Sequence, residues 1–181
     1  MAQVTGIVLA AGAGTRAGGP KALRVDHAGM PWLHRCVAAL RAGGCDDVLA
    51  VLGAEAGRAR ALTPADVRIV EAADWAQGLS ASLKAGLAAA EGDAAVITLV
   101  DLWRMPAGAV ARILTAPLDA TTLRRATYDG RPGHPVLLGR DHWAAAAASA
   151  EGDRGAGRYL KAQGADEVEL SDLWDGDDAD V

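Results

Sequence analysis

Between Leu9 and Lys21 the chain reads LAAGAGTRAGGPK, a set of residues suited to holding a polyphosphate. Gly12, Gly14, Gly18 and Gly19 let backbone N–H groups crowd around an anion without Cβ clashes. Arg16 offers a planar fork for phosphate oxygens, and Lys21 a mobile point charge. The chain has only three lysines, Lys21, Lys84 and Lys161, so one placed directly after Pro20 in this loop is more than composition. The spacing excludes two common phosphate loops. In the P-loop a Gly precedes the Lys and a Ser or Thr follows it; here Pro20 and Ala22 flank Lys21. The dinucleotide fingerprint runs G-x-G-x-x-G straight into a helix. Here Ala17 takes the third glycine position, and Pro20 disfavours helix at Gly19.

A second chemical centre is Asp101, which follows the apolar run Val96 to Val100. A carboxylate at the mouth of a buried strand is costly unless it meets a cation or strong donors. It reads as a Mg²⁺ ligand whose shell phosphates complete; a helix N-cap or a loop salt bridge is the alternative. Gly78, Ser80 and Ser82 open a helix whose amides and hydroxyls can read a pyrimidine edge or hold an anion. Ordinary capping by Ser80 is the other reading. His134, fixed between Gly133 and Pro135, can orient a phosphate; a structural role is the other reading. No Ser/His/Asp or Cys/His arrangement stands out, which fits catalysis by positioning and charge neutralisation.

These residues need a scaffold that gathers them. Val4 to Leu9, Val48 to Leu52, Val67 to Val70 and Ala94 to Val100 read as strands. Pro31 to Ala42, Ala54 to Ala61, Leu79 to Ala90 and Ala107 to Leu114 read as the helices between them. The alternation predicts an α/β domain with a doubly wound, mostly parallel (mixed) sheet, a Rossmann-like three-layer sandwich. Ligands in such sheets collect at the carboxyl ends of strands, so the loop after the first strand and Asp101 after the fourth face one crevice. Further on, Thr121 to Tyr128 and Pro135 to Leu138 read as strands around a turn over 129–133. Ala144 to Ala148 reads as a surface helix, Arg154 to Gln163 as another, and Glu167 to Leu170 as a short strand.

With 181 residues the chain suits one domain, 1–181. No apolar run approaches the ~20 residues of a membrane span, and no basic-then-apolar leader opens it. Cys36 and Cys45 lie in no C-x-x-C or Cys/His cluster and read as reduced structural thiols of a cytoplasmic protein. A net charge of −5 argues against a nucleic-acid surface, so cations for a polyanionic substrate must be placed locally and a metal recruited.

The string from Leu9 to Lys21 resembles the signature of the molybdenum cofactor cytidylyltransferase and guanylyltransferase group of nucleotidyltransferases. Ala10-Ala11-Gly12 and Pro20-Lys21 look more like the cytidylyl branch. The segments Gly29 to Leu33, Asp74 to Leu83, Leu99-Val100-Asp101, Gly133 to Val136 and Gly152 to Ala156 are similar to further family motifs in the family's order. The resemblance implies CMP transfer from CTP to the terminal phosphate of a molybdopterin-type cofactor, with Mg²⁺ and release of pyrophosphate. It implies that Leu9, Ala10, Ala11, Gly12, Gly14, Arg16, Lys21, Gly78, Ser80 and Ser82 bind the nucleotide. His134, Asp153 and Gly155 would bind the acceptor. Arg16, Lys21 and Asp101 would carry catalysis, and Asp101 and Asp180 the metal, since Asp178-Ala179-Asp180 matches the family's D-x-D. Trp103 stands where the family commonly has Pro, which implies a reshaped acceptor pocket. A molybdoenzyme or its chaperone is an implied partner. Some actinobacterial chains of this shape carry the label nicotine blue oxidoreductase, so NAD(P)H-dependent oxidoreduction is one rival. A non-catalytic nucleotide- or cofactor-binding chaperone is the other.

Overall fold

A computed structural model describes residues 2–178, the Arg16 side chain excepted. Strand β1 (Val4–Ala10) is buried along its whole length, as its mostly apolar sequence predicts, with the Thr5 hydroxyl donating to the Glu91 carbonyl. It pairs in parallel with β2 (Asp47–Leu52) on one side and with β4 (Ala94–Leu99) on the other. Strand β3 (Arg68–Glu71) extends the parallel part beyond β2. Strand β6 (Arg131–Gly139) runs antiparallel to β4 and to β5 (Leu123–Tyr128), and β7 (Asp166–Glu169) pairs in parallel with β5. The seven-stranded order is β3-β2-β1-β4-β6-β5-β7, a mixed sheet in which β6 is the one reversed strand.

Helices cover both faces. Alternate residues of β1 point to opposite sides, Val8 and Ala10 to one core and Ile7 and Leu9 to the other. The first core is closed by α1 (Trp32–Ala42) and α4 (Ala107–Ile113), with Leu33, Val37, Leu40, Val110 and Ile113 buried. The second is closed by α3 (Leu79–Ala89), α5 (Trp143–Ser149) and α6 (Gly157–Ala162), with Leu83, Leu87, Ala146 and Leu160 buried. A short α2 (Ala56–Ala61) follows β2. Each fully buried Leu or Ile contributes about 1.5–3 kcal/mol, which offsets the lack of Phe in these cores. Among the described residues no helix is long and apolar enough to cross a membrane.

The largest boundary changes lie in the second half of the chain. The turn expected over 129–133 is only Asp129-Gly130, both with positive φ (51° and 76°), as a two-residue hairpin turn demands. Strand β6 therefore begins at Arg131, not Pro135. The helix expected from Arg154 begins at Gly157, because Glu151 and Arg154 first close a tight bridge that turns the chain.

Candidate active site

The ends of β1, β2, β3 and β4 open onto one edge of the sheet. Past β1 the chain enters the glycine loop. Gly14 has φ of 58°, and a Cβ there would lie 2.0 Å from the Gly19 carbonyl oxygen. The loop is thus folded back on itself, with Ala17 and Gly19 both donating to the Gly14 carbonyl. Nothing lies within 4 Å of where a Cβ on Gly12 would stand. The amides of Gly12, Ala13 and Gly14 make no hydrogen bond among the described residues, which leaves them as anion donors. Leu9, Ala10 and Ala11 bury their side chains in the two cores and present only backbone to this edge.

Lys21 sits in a single 3₁₀ turn (Lys21–Leu23) after the loop, and its ammonium lies 2.8 Å from Asp101 Oδ2. Asp101 sits in a 3₁₀ turn (Val100–Leu102) directly beyond β4. The two side chains are 22% and 15% exposed, so the pair is largely shielded and open on one side. The other carboxylate oxygen, Oδ1, is buried without a hydrogen-bond partner. An orphaned carboxylate oxygen is costly in a protein interior and fits a hard cation. Among the described residues no group of three His, Cys, Asp or Glu converges on a metal position. Asp101 can therefore supply one ligand, leaving the remainder to phosphate and water oxygens, as suits Mg²⁺. Behind Asp101, the Cys36 thiol lies 3.8 Å from the Leu99 carbonyl and 3.6 Å from that of Val100. Burial, reinforced by the Asp101 charge, pushes the Cys36 thiol up, so it stays protonated and is no thiolate ligand. Burial likewise pushes Cys45 up to about 12.

His134 reaches the same edge by a device that its sequence setting did not reveal. Because β6 runs antiparallel, its start lies beside the end of β4. In the β5–β6 ladder Arg125 pairs with Val136 but Ala126 pairs with Gly133, so His134 and Pro135 stand opposite no partner. Such a bulge re-aims a side chain, and Pro135 lacks the N–H a regular ladder would need. The Tyr128 hydroxyl donates to the His134 carbonyl at 2.6 Å. Burial lowers the His134 pKa to about 4, against an opposing pull from the nearby Asp101 charge. The imidazole is therefore neutral at pH 7 and can accept or donate one hydrogen bond without carrying charge.

The segments expected to bind base and acceptor meet at Gly78. Its φ is 103°, and a Cβ would lie 2.5 Å from Asp153 Oδ1 and 2.7 Å from the Gly152 carbonyl oxygen. The Ser80 amide donates to that same carbonyl at 2.9 Å, and Gly155 packs on Leu79. The alternative reading of Ser80 as a side-chain cap is corrected: Gly78 holds the N-cap position and α3 has no side-chain cap. Ser80 and Ser82 are both 4% exposed, and with its amide engaged Ser80 keeps only its hydroxyl for a ligand. Lys21, Asp101 and His134 thus gather at the crevice, and Gly78, Ser80, Asp153 and Gly155 form a second group at the start of α3. Asp180 and the Arg16 side chain lie outside the described residues. The preceding tail passes beside the site, since Trp174 packs edge-on against Tyr128 at 5.6 Å and Gly176 abuts the same ring.

The family model described as MobA-like NTP transferase domain matches residues 6–168. The chain belongs to the MobA-like NTP transferases. It is a nucleotidyltransferase, and its sheet and helices match solved members of that fold. One curated relative, named nicotine blue oxidoreductase, from Paenarthrobacter nicotinovorans, is 36% identical over 98% of this chain and 92% of its own length. A nucleotidyl transferase from Methanothermobacter superposes with a TM-score of 0.78 at 25% identity, covering 92% of this chain and 87% of that one. Rv0371c from Mycobacterium tuberculosis, solved as a complex with manganese, gives 0.75 at 26% identity, covering 93% and 87%.

Proposed function

We propose that this chain transfers CMP from CTP to the terminal phosphate of a molybdopterin-type cofactor, with Mg²⁺ as the ion. A phosphate oxygen of the acceptor forms a bond to the α-phosphorus. The bond from that phosphorus to the bridging oxygen breaks, and pyrophosphate leaves with the electron pair. The unpaired amides of Gly12, Ala13 and Gly14, with Lys21 and Arg16, would hold the triphosphate and neutralise the leaving group. Gly78, Ser80 and Ser82 would read the base. Neutral His134 would hydrogen-bond the acceptor, and Asp153 and Gly155 would shape its side of the site. Asp101, joined by Asp180, would hold a divalent cation, which supplies charge neutralisation between the phosphates when bound. A molybdoenzyme or its chaperone would receive the product, in the cytoplasm.

The observation that carries this reading is the Lys21–Asp101 contact, which joins the phosphate loop to the orphaned carboxylate across 80 residues of sequence. The support for a manganese-type ion is that a structural relative was solved as a complex with manganese. The name of the relative from Paenarthrobacter nicotinovorans favours a second reading, oxidoreduction with NAD(P)H.

One assay separates them. Pyrophosphate release is measured with CTP, GTP or ATP, Mg²⁺ and molybdopterin, alongside NADPH oxidation and FMN binding. Release with CTP that disappears in Lys21→Ala supports cytidylyl transfer. Preference for GTP moves the base assignment, and NADPH turnover without pyrophosphate release overturns the proposal.

A further inference from the structure

Four side chains form a column beside the phosphate loop. Arg24 donates from its guanidinium to the Ala17 carbonyl inside the glycine loop. The Arg24 guanidinium carbon also stands 5.9 Å from the ring centre of Trp32. Trp32 and Trp103 are stacked, with ring centres 5.7 Å apart and planes 21° from parallel. The Arg104 guanidinium carbon stands 5.1 Å from the ring centre of Trp103. Trp103 lies two residues after Asp101, so the column runs from the loop to the segment carrying the metal-binding carboxylate. The main chain adds links at one end, since Arg24 donates to the Lys21 carbonyl and Trp32 to the Arg24 carbonyl.

Neither indole N–H in this column has a hydrogen-bond partner, although both are buried. Buried Trp N–H groups usually find one. The rings are therefore held by their faces and by the flanking guanidinium groups, not by a directional bond. Face contacts allow small slides that a hydrogen bond would resist. With Asp101 Oδ1, three orphaned polar atoms fall in this one neighbourhood.

We propose that Arg24, Trp32 and Trp103 are positioning residues that transmit occupancy of the phosphate loop to Asp101. A triphosphate drawing on the loop shifts Ala17, and Arg24 carries the shift to Trp32. The stack passes it to Trp103 and the adjoining carboxylate. The proposal rests on the nucleotidyl-transfer reading and adds to it a route between its two halves.

Stacked indoles give an exciton couplet in circular dichroism, and this is the one Trp–Trp stack among the described residues. The couplet is recorded on the full chain with CTP added in EDTA, while thermal shift reports CTP binding independently. The expected result is a couplet in the wild type that changes with CTP and is lost in Trp103→Leu. In Arg24→Leu the couplet should persist and CTP still bind, but the response should vanish. In turnover, Trp103→Leu should lower kcat about 10- to 100-fold with KM for CTP little changed, and Trp103→Phe should restore most of it. If Trp103→Leu fails to fold, Trp103→Phe assigns the couplet. A wild-type couplet indifferent to bound CTP overturns the proposal, as does an Arg24→Leu chain that responds normally or no longer binds CTP. Absence of any thermal shift in the wild type with CTP, GTP or ATP in the presence of Mg²⁺ removes the nucleotidyl-transfer reading itself, and this proposal with it.

Discussion

Lys21 and Asp101 share one short contact, 2.8 Å from ammonium nitrogen to Oδ2, between a loop after β1 and a turn after β4. With the proposed divalent ion also drawing on Asp101, substitution of Lys21 has two opposed effects. Removing the cation relieves competition at Asp101 but deprives phosphates of a charge-assisted donor. Lys21→Ala should tighten Mn²⁺ binding to the protein alone by about 3- to 10-fold and weaken CTP binding by about 10- to 100-fold. Paramagnetic titration of Mn²⁺ and calorimetric titration of CTP check the two signs. A variant weakened in both would make Lys21 a support for Asp101 only.

The two strained glycines should fail for different reasons. A methyl at Gly14 would collide with the Gly19 carbonyl and must be held at positive φ, so Gly14→Ala should distort the phosphate loop. A methyl at Gly78 would strike Asp153 and Gly152 instead. Each should lower stability by about 1–3 kcal/mol, read as a fall in Tm. Gly14→Ala should abolish nucleotide binding. Gly78→Ala should weaken the response to nucleotide and to acceptor together.

His134 gives a pH signature. Its pKa, ordinarily about 6.5, is lowered to about 4 in the fold by burial. A neutral form favoured by folding contributes stability in full above pH ~6.5 and loses it as pH falls towards about 4. Melting temperature should therefore decline through that window. His134→Asn should flatten the decline, and equal slopes in the two chains would show that other groups dominate.

The acidic tail supplies a fourth test. Asp180→Asn should weaken Mn²⁺ binding about tenfold, as loss of a charged ligand does, with Asp178→Asn closer to wild type. Asp177 is an unsuitable stand-in, because its carboxylate lies 3.6 Å from the Arg131 guanidinium. Equal effects of the two substitutions would mark the tail as a diffuse negative charge.

The parallel half of the fold was legible because its central strands are mostly apolar and its helices carry apolar residues on one face. The expectation for β1 missed its end by a single residue, Ala10. The meeting of Lys21 with Asp101 followed from topology alone, since ligands in doubly wound sheets collect at strand ends. His134 was harder. Its delivery depends on the reversal of β6 and on two residues bulging out of a ladder, neither of which leaves a periodic trace. The Asp129-Gly130 turn and Pro135 in mid-strand are the available signals, and the sequence reading instead extends the turn to Gly133 and starts the strand at Pro135. The contact of Gly78 with Asp153 joins segments with no pattern in common, so only coordinates reveal it. The Arg24–Trp32–Trp103 column was invisible for a similar reason: aromatic residues in sequence do not announce which others they face.

The wedge of Asp153 and Gly152 against Gly78 bears on anyone who would redesign this scaffold. No atom-wide gap separates the two segments proposed to recognise base and acceptor, so grafting a loop from a homologue to alter one will disturb the other. Libraries that diversify both stretches at once, selected on paired substrates, are the ones with room to move.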